Sequence, residues 1–181
     1  MWPVFVSLVV LCWTGVVQSS SDCPWNQFHL GRINNKIILL LENMGGYLPV
    51  QCMEKQTVHF FPENIFTDAE EDSIPLLVLQ TGQLFINVFG GNMSALSWNP
   101  EKVKLLSNHV FRQTTQLQQC VNQDGVTDTV TTVPALASFS DQLTALHTQE
   151  ECAWELIRSE FQFAFKQLKD YLDKRGRPHS K

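Results

Sequence analysis

Residues 150–160 read EECAWELIRSE, and this stretch decides the fold because it sets a cysteine at the head of an amphipathic helix. From Trp154 onward, Ile157, Phe161, Ala164, Phe165, Leu168 and Leu172 recur at steps of three and four, the period of a helix with one buried stripe. Glu150 and Glu151 precede it, and Lys169, Lys174 and Arg175 lie toward its end, the charge order that a helix dipole favours. Cys152 falls in its first turn, where it can tie the helix to another segment. Trp154 then faces the core, and Arg158 is expected to face outward.

The compartment follows from the N-terminus. An apolar run from Val4 to Val17, then Gln18 and Ser19 to Ser21, reads as a secretory signal over 1–21 and leaves 22–181 as one domain. The alternative is a buried N-terminal helix; the run is short for a bilayer span, so no membrane insertion is expected. Of five cysteines, Cys12 leaves with the signal, and an even set of four in an exported chain suggests two disulfides. Asn92-Met93-Ser94 is a sequon, so Asn92 is either a glycosylation site or an unmodified surface residue. With 13 basic and 18 acidic residues, the chain has no overall field for nucleic acid. The basic tail KRGRPHSK reads as a solvated end.

Four further helices precede the last one. The first lies within WNQFHLGRINNKIILLLENMGG, with Leu30, Ile33, Ile37, Leu40, Leu41 and Met44 on one face and Gly45-Gly46 as its stop. An irregular connection of about twenty residues follows, long enough to be a crossover. The second helix spans about Asp68–Phe89, burying Ile74, Leu77, Thr81, Leu84, Phe85 and Val88, with Pro75 in its first turns. The third runs from Asn99 as cap and Pro100 to about Val121, burying Val103, Leu106, Val110, Leu117 and Val121. A fourth, Pro134 to about His147, is short.

The class is therefore all-α. A short link makes the second and third long helices antiparallel, and the crossover allows the first two to be parallel, an up-up-down-down bundle of four long helices plus one short. Cys23 and Cys120 then fall at one end and Cys52 and Cys152 at the other. The other pairings would span a helix length, on the order of 30 Å.

No catalytic pattern is present: there is no HExxH, GxSxG, P-loop or GxGxxG, and the five histidines lie in five segments without ligand spacing. No enzyme, cofactor or metal site is expected. Phe163 points off the helical stripe and reads as an outward contact residue.

CAWELIR (152–158) closely resembles the last-helix signature of type I interferons. FPENIF (61–66), SIPLL (73–77), LSWN (96–99) and CV (120–121) resemble successive segments of the same family, in order. The four-cysteine layout matches as well. The resemblance implies a secreted antiviral cytokine, a monomer, that bridges two class II cytokine-receptor chains to trigger JAK-STAT signalling. It implies a tighter receptor site on the crossover and the outer face of the last helix, and a weaker one on the opposite face around the second to fourth helices. Arg158 matches a family arginine; Ser159 and Gln162 share its expected face by helix spacing, and Met53 lies just past the cysteine that pins the crossover. Gln56 stands where mammalian members have a contact arginine, and Phe163 where the last helix often has another, which suggests a fish (teleost) type. An interleukin-10-like cytokine or a secreted helical lipid carrier are the alternatives.

Non-reducing peptide mapping should recover Cys23 linked to Cys120 and Cys52 linked to Cys152; a Cys23 to Cys52 peptide would overturn the helix directions.

Overall fold

A computed structural model describes residues 27–45, 49–53, 58–90, 98–123, 133–147 and 152–176. The signal expected over 1–21, Cys23, Glu150, Glu151 and Asn92 lie outside them. The elements are α1 (Gln27–Met44), α2 (Val50–Met53), α3 (Ile65–Asp68), α4 (Ile74–Phe89), α5 (Pro100–Gln123), α6 (Pro134–His147) and α7 (Ala153–Arg175), with no strand among the described residues.

Residue pairs between helices give their directions. Asn34 Nδ2 donates to Phe165 O at 2.8 Å and Arg158 Nη1 to Leu41 O at 2.7 Å, so α7 runs back as α1 runs forward. The end of α1 meets the start of α5: Asn99 N donates to Met44 O at 3.2 Å, and Lys102 Nζ to Asn43 O at 2.8 Å. The end of α4 likewise meets the entry to α5, where Phe89 and Trp98 stack at 6.0 Å, while Gln83 and Gln118 bond farther along. Because α1 and α4 both oppose α5, they are parallel to each other. This is an up-up-down-down bundle with α6 as the short extra helix.

Local chemistry explains the boundaries. The Asn99 side chain accepts from the backbone N–H of Glu101 and Lys102, both at 3.1 Å, and Pro100 occupies the first helical position. The second long helix starts later than its acidic run suggests. Ala69 and Glu70 are extended, Glu71–Ser73 form a 3-10 turn, and α4 begins at Ile74. Pro75 is the reason: its ring excludes the carbonyl four residues earlier, so a regular helix cannot be continued through it from Asp68. Cys152 is not in the first turn of α7 but is its N-cap, with φ 73°.

A chain of aromatic rings runs through the core and joins the crossover, α6, α7 and α4. Phe61 from the crossover meets Phe139 of α6 edge-on at 5.1 Å, Phe139 meets Phe161 of α7 at 5.8 Å, and Phe161 meets Phe85 of α4 at 5.1 Å. Leu136, Phe139, Leu143 and Leu146 are all buried on α6. Leu40, Leu84, Val88 and Val103, expected inside, are only half-buried, whereas Ile38, Val78, Leu79 and Phe89 are buried. The stripe of α4 is thus wider than its periodicity suggests, because α4 is covered by α5, α6 and α7.

Two helical glycines give opposite expectations. A Cβ on Gly82 would lie 2.4 Å from Thr114 Oγ1, whereas one on Gly31 would meet nothing within 4 Å. Gly82→Ala should therefore destabilise the fold by about 1–3 kcal/mol, and Gly31→Ala should stabilise it by about 0.5–1 kcal/mol. Chemical denaturation of both variants checks the sign.

Candidate functional site

The crossover between α1 and α4 is fastened along one side of α7. Cys52 in α2 is bonded to Cys152, with Cα atoms 5.4 Å apart. Two turns on, the fully buried Glu160 accepts from Phe60 N and Phe61 N, both at 2.9 Å, and meets His59 Nδ1 at 3.0 Å. Two turns farther, Gln167 Oε1 accepts from Asn64 N at 2.8 Å and its Nε2 donates to Pro62 O at 3.1 Å. Asn64 has φ 60°, a left-handed conformation that Asn tolerates better than most residues. Positions 160 and 167 share a helix face and Cys152 caps the start of the same helix, so the three fastenings follow one another along α7. They also drive Phe61 and Phe66 into the core, each 1% exposed.

The fastened crossover leaves a ridge of exposed apolar side chains, Met53 at 57% and Val58 at 66% exposure, with Phe60 beside them. Phe163 continues the ridge onto α7, stacking on His59 with ring centroids 3.9 Å apart. On its other flank α7 meets α1: Gln162 Nε2 donates to Glu42 Oε1 at 3.1 Å, and Lys166 pairs with the same carboxylate at 3.0 Å. Ser159 is half-buried between these flanks.

The interferon alpha/beta domain matches residues 26–174. The chain belongs to the interferon alpha/beta family. It is 26% identical to horse (Equus caballus) interferon alpha-1 over 174 residues, covering 90% of this chain and 92% of the relative. Against human interferon alpha-21 it is 27% identical over 178 residues, covering 91% and 90%. Zebrafish interferon 2 has a similar fold, with a TM-score of 0.62 at 22% identity over 77% of this chain and 96% of that one. The family is one of cytokines, not enzymes. Among the described residues no cluster of three or more His, Cys, Asp or Glu could hold a metal ion, and no helix is long and apolar enough to cross a membrane.

Within this interferon, two expected contact residues are placed differently from their reading in the sequence. Arg158 does not face outward; it is 4% exposed. Its Nη1 bonds Leu41 O, while Nε at 2.9 Å and Nη2 at 2.6 Å fork onto Glu155 Oε2. Glu155 Oε1 in turn accepts from Trp98 Nε1 at 2.6 Å. The arginine is thus a C-cap supplied in trans: α1 has no basic residue in its last turn, and its final carbonyls are satisfied from α7 and α5. Gly45 belongs to this junction, since a Cβ there would lie 2.6 Å from Trp98 Nε1 and 2.9 Å from Arg158 Nε. Phe163 is half-buried under His59 and contributes a ring edge to the ridge, not a protruding side chain. Trp154 is half-buried too, edge-on to Trp98 at 6.1 Å and to Phe89 at 5.9 Å.

Met53 is exposed as its position just past Cys52 suggests, and Ser159 and Gln162 reach the surface between crossover and α1. Glu160 and Gln167 were not singled out from the sequence, although they hold the surface together. Their signal is a polar pair seven residues apart on the margin of the apolar stripe, facing whatever packs beside it. Cys120 is buried and disulfide-bonded, and Cys23, its expected partner, lies outside the described residues.

Arg158→Ala should destabilise the fold by about 3 kcal/mol or more, because it leaves Glu155 and the Leu41 carbonyl without their buried partner. Asp170→Ala, on the exposed face of α7, should melt within about 0.5 kcal/mol of the parent, as surface substitutions do. Paired thermal melts distinguish this from the outward reading of Arg158, under which that variant too would melt like the parent.

Proposed function

We propose that this interferon is a secreted antiviral cytokine that bridges two class II cytokine-receptor chains and so triggers JAK-STAT signalling. The observation that supports this best is the fastened crossover. A disulfide and a buried carboxylate hold Met53, Val58 and Phe60 in line with α7, so a partner meets a surface whose ordering cost was met during folding. Apolar anchors ringed by Ser159, Gln162 and Lys166 suit the tighter receptor chain, since a desolvated centre with a polar rim is where binding energy concentrates. Arg158 serves this surface from beneath by joining α7 to the end of α1.

The weaker chain is placed on the α4–α5 face. There Phe85, Ile86, Phe89, Ser107, Asn108 and Phe111 line a cleft of about 240 Å³ with Phe111 exposed at its edge. Cleavage of residues 1–21, a second disulfide between Cys23 and Cys120, and glycosylation of Asn92 belong to the same reading of an exported glycoprotein. Family membership sets aside the interleukin-10-like and lipid-carrier alternatives.

Surface plasmon resonance on each isolated receptor ectodomain tests the bridge. Met53→Asp and Val58→Asp should weaken one chain by about tenfold or more, leaving the other unchanged, and Phe111→Asp should give the reverse pattern. An antiviral reporter should lose output with either class. Folded variants that bind both chains like the parent would refute the assignment of faces.

A further inference from the structure

The outer seam between α1 and α5 has a charge opposite to that of the chain. The protein has a net charge of −5, yet α1 contains no acidic residue before Glu42 and α5 none after Glu101. The contacts of Met44 with Asn99 and of Asn43 with Lys102 set the register of the two helices. Continued along the seam, that register brings Lys36 level with His109 and Arg32 level with Arg112. Arg32 and Lys36 are one turn apart on α1, a rise of about 6 Å, and His109 and Arg112 are one turn apart on α5. Lys36 and Arg112 are exposed, and among the described residues neither they nor Arg32 form an ion pair. The local field is felt by the one titratable ring between them: His109 is held below its ordinary value by burial and then by Lys36 and Arg112.

We propose that this seam is a binding site for a sulfated glycosaminoglycan chain, recognised by Arg32, Lys36, His109 and Arg112. The proposal rests on the extracellular placement given under the proposed function, where such chains are the abundant linear polyanion. The cations run lengthwise along a helix–helix groove and do not surround a pocket, so they suit a ligand with repeated negative groups along its length. Guanidinium and ammonium groups serve different parts of that task, the first by paired hydrogen bonds to oxyanions and the second as a point charge. Leu39 and Leu105 border the upper end of the seam, but two side chains offer too little apolar area to seat a helix pair on a bilayer. The seam is separate from the crossover–α7 ridge, so a protein held on a matrix chain keeps that ridge open.

Heparin-affinity chromatography and surface plasmon resonance on immobilised heparin, using the full secreted protein, test this. The parent should be retained and released by salt, and the double substitution Lys36→Glu/Arg112→Glu should lower heparin affinity about tenfold or more at about 0.15 M salt, as loss of screened polyanion contacts does. Heparin should also raise the pH at which the His109 ring titrates, read by NMR, because sulfates offset Lys36 and Arg112. Binding of the tighter receptor chain by the same variant should match the parent, which separates failure of this site from failure of the receptor assignment. The proposal is overturned if the double variant is retained like the parent, if truncation after Gly176 alone abolishes retention, or if phosphatidylserine vesicles capture the protein and heparin does not.

Discussion

One buried carboxylate carries the constraint on which the arrangement depends. Glu160 is fully buried, a position that is costly for a carboxylate unless its oxygens are occupied. The crossover occupies them with two consecutive backbone N–H groups and an imidazole. Each side needs the other, since the same two N–H groups would be unsatisfied inside the protein without the carboxylate. Phe61 is thereby held in the core, where it meets Phe139, and the crossover becomes a structural layer. Parallel α1 and α4 require such a long connection, and the disulfide above and Gln167 below keep it against α7.

A second junction works by charge at the opposite flank of α7. The end of α1 presents carbonyls that no residue of α1 can neutralise, and the Arg158 guanidinium answers them from another helix. Glu155 balances that charge and also accepts the Trp98 indole N–H, so three helix termini meet at one carboxylate. Glycine is needed at position 45 because a side chain there would strike both Trp98 and Arg158. Arg158 and Glu160 are both turned inward and serve assembly, whereas Lys166, Asp170, Asp173, Lys174 and Arg175 of α7 stay exposed. What remains outside is apolar along the crossover and polar along α1, a division suited to a partner surface.

The bundle thus has distinct faces: the crossover ridge with α7, the α4–α5 cleft and the basic α1–α5 seam. Each follows from which helices are neighbours. The cleft opens because Gly82 lets α4 approach Thr114 closely while the bulky Phe85, Phe89 and Phe111 gather toward the other end. The seam is positive because the residues that cover the outside of α1 and α5 carry few acids, whereas the acids of the chain cluster near the entry to α4 and on α7.

Much of this was legible from residue order. The three-and-four spacing from Trp154 to Leu172 determined α7, Asn99-Pro100 determined the start of α5, and the cysteine count with helix directions pointed to Cys52 joining Cys152, because periodicity, caps and the reach of a disulfide are local or one-dimensional properties. The tertiary structure decided the direction in which the polar residues of α7 work. A helix pattern separates inside from outside along one stripe, but Arg158 and Glu160 sit on its two margins, where polarity alone reads as exposure. Whether such a residue meets water or a neighbour depends on what lies beside it. Here the neighbours are the unsatisfied carbonyls of α1 and the unsatisfied N–H groups of a crossover more than ninety residues away, partners that exist only once the chain has folded.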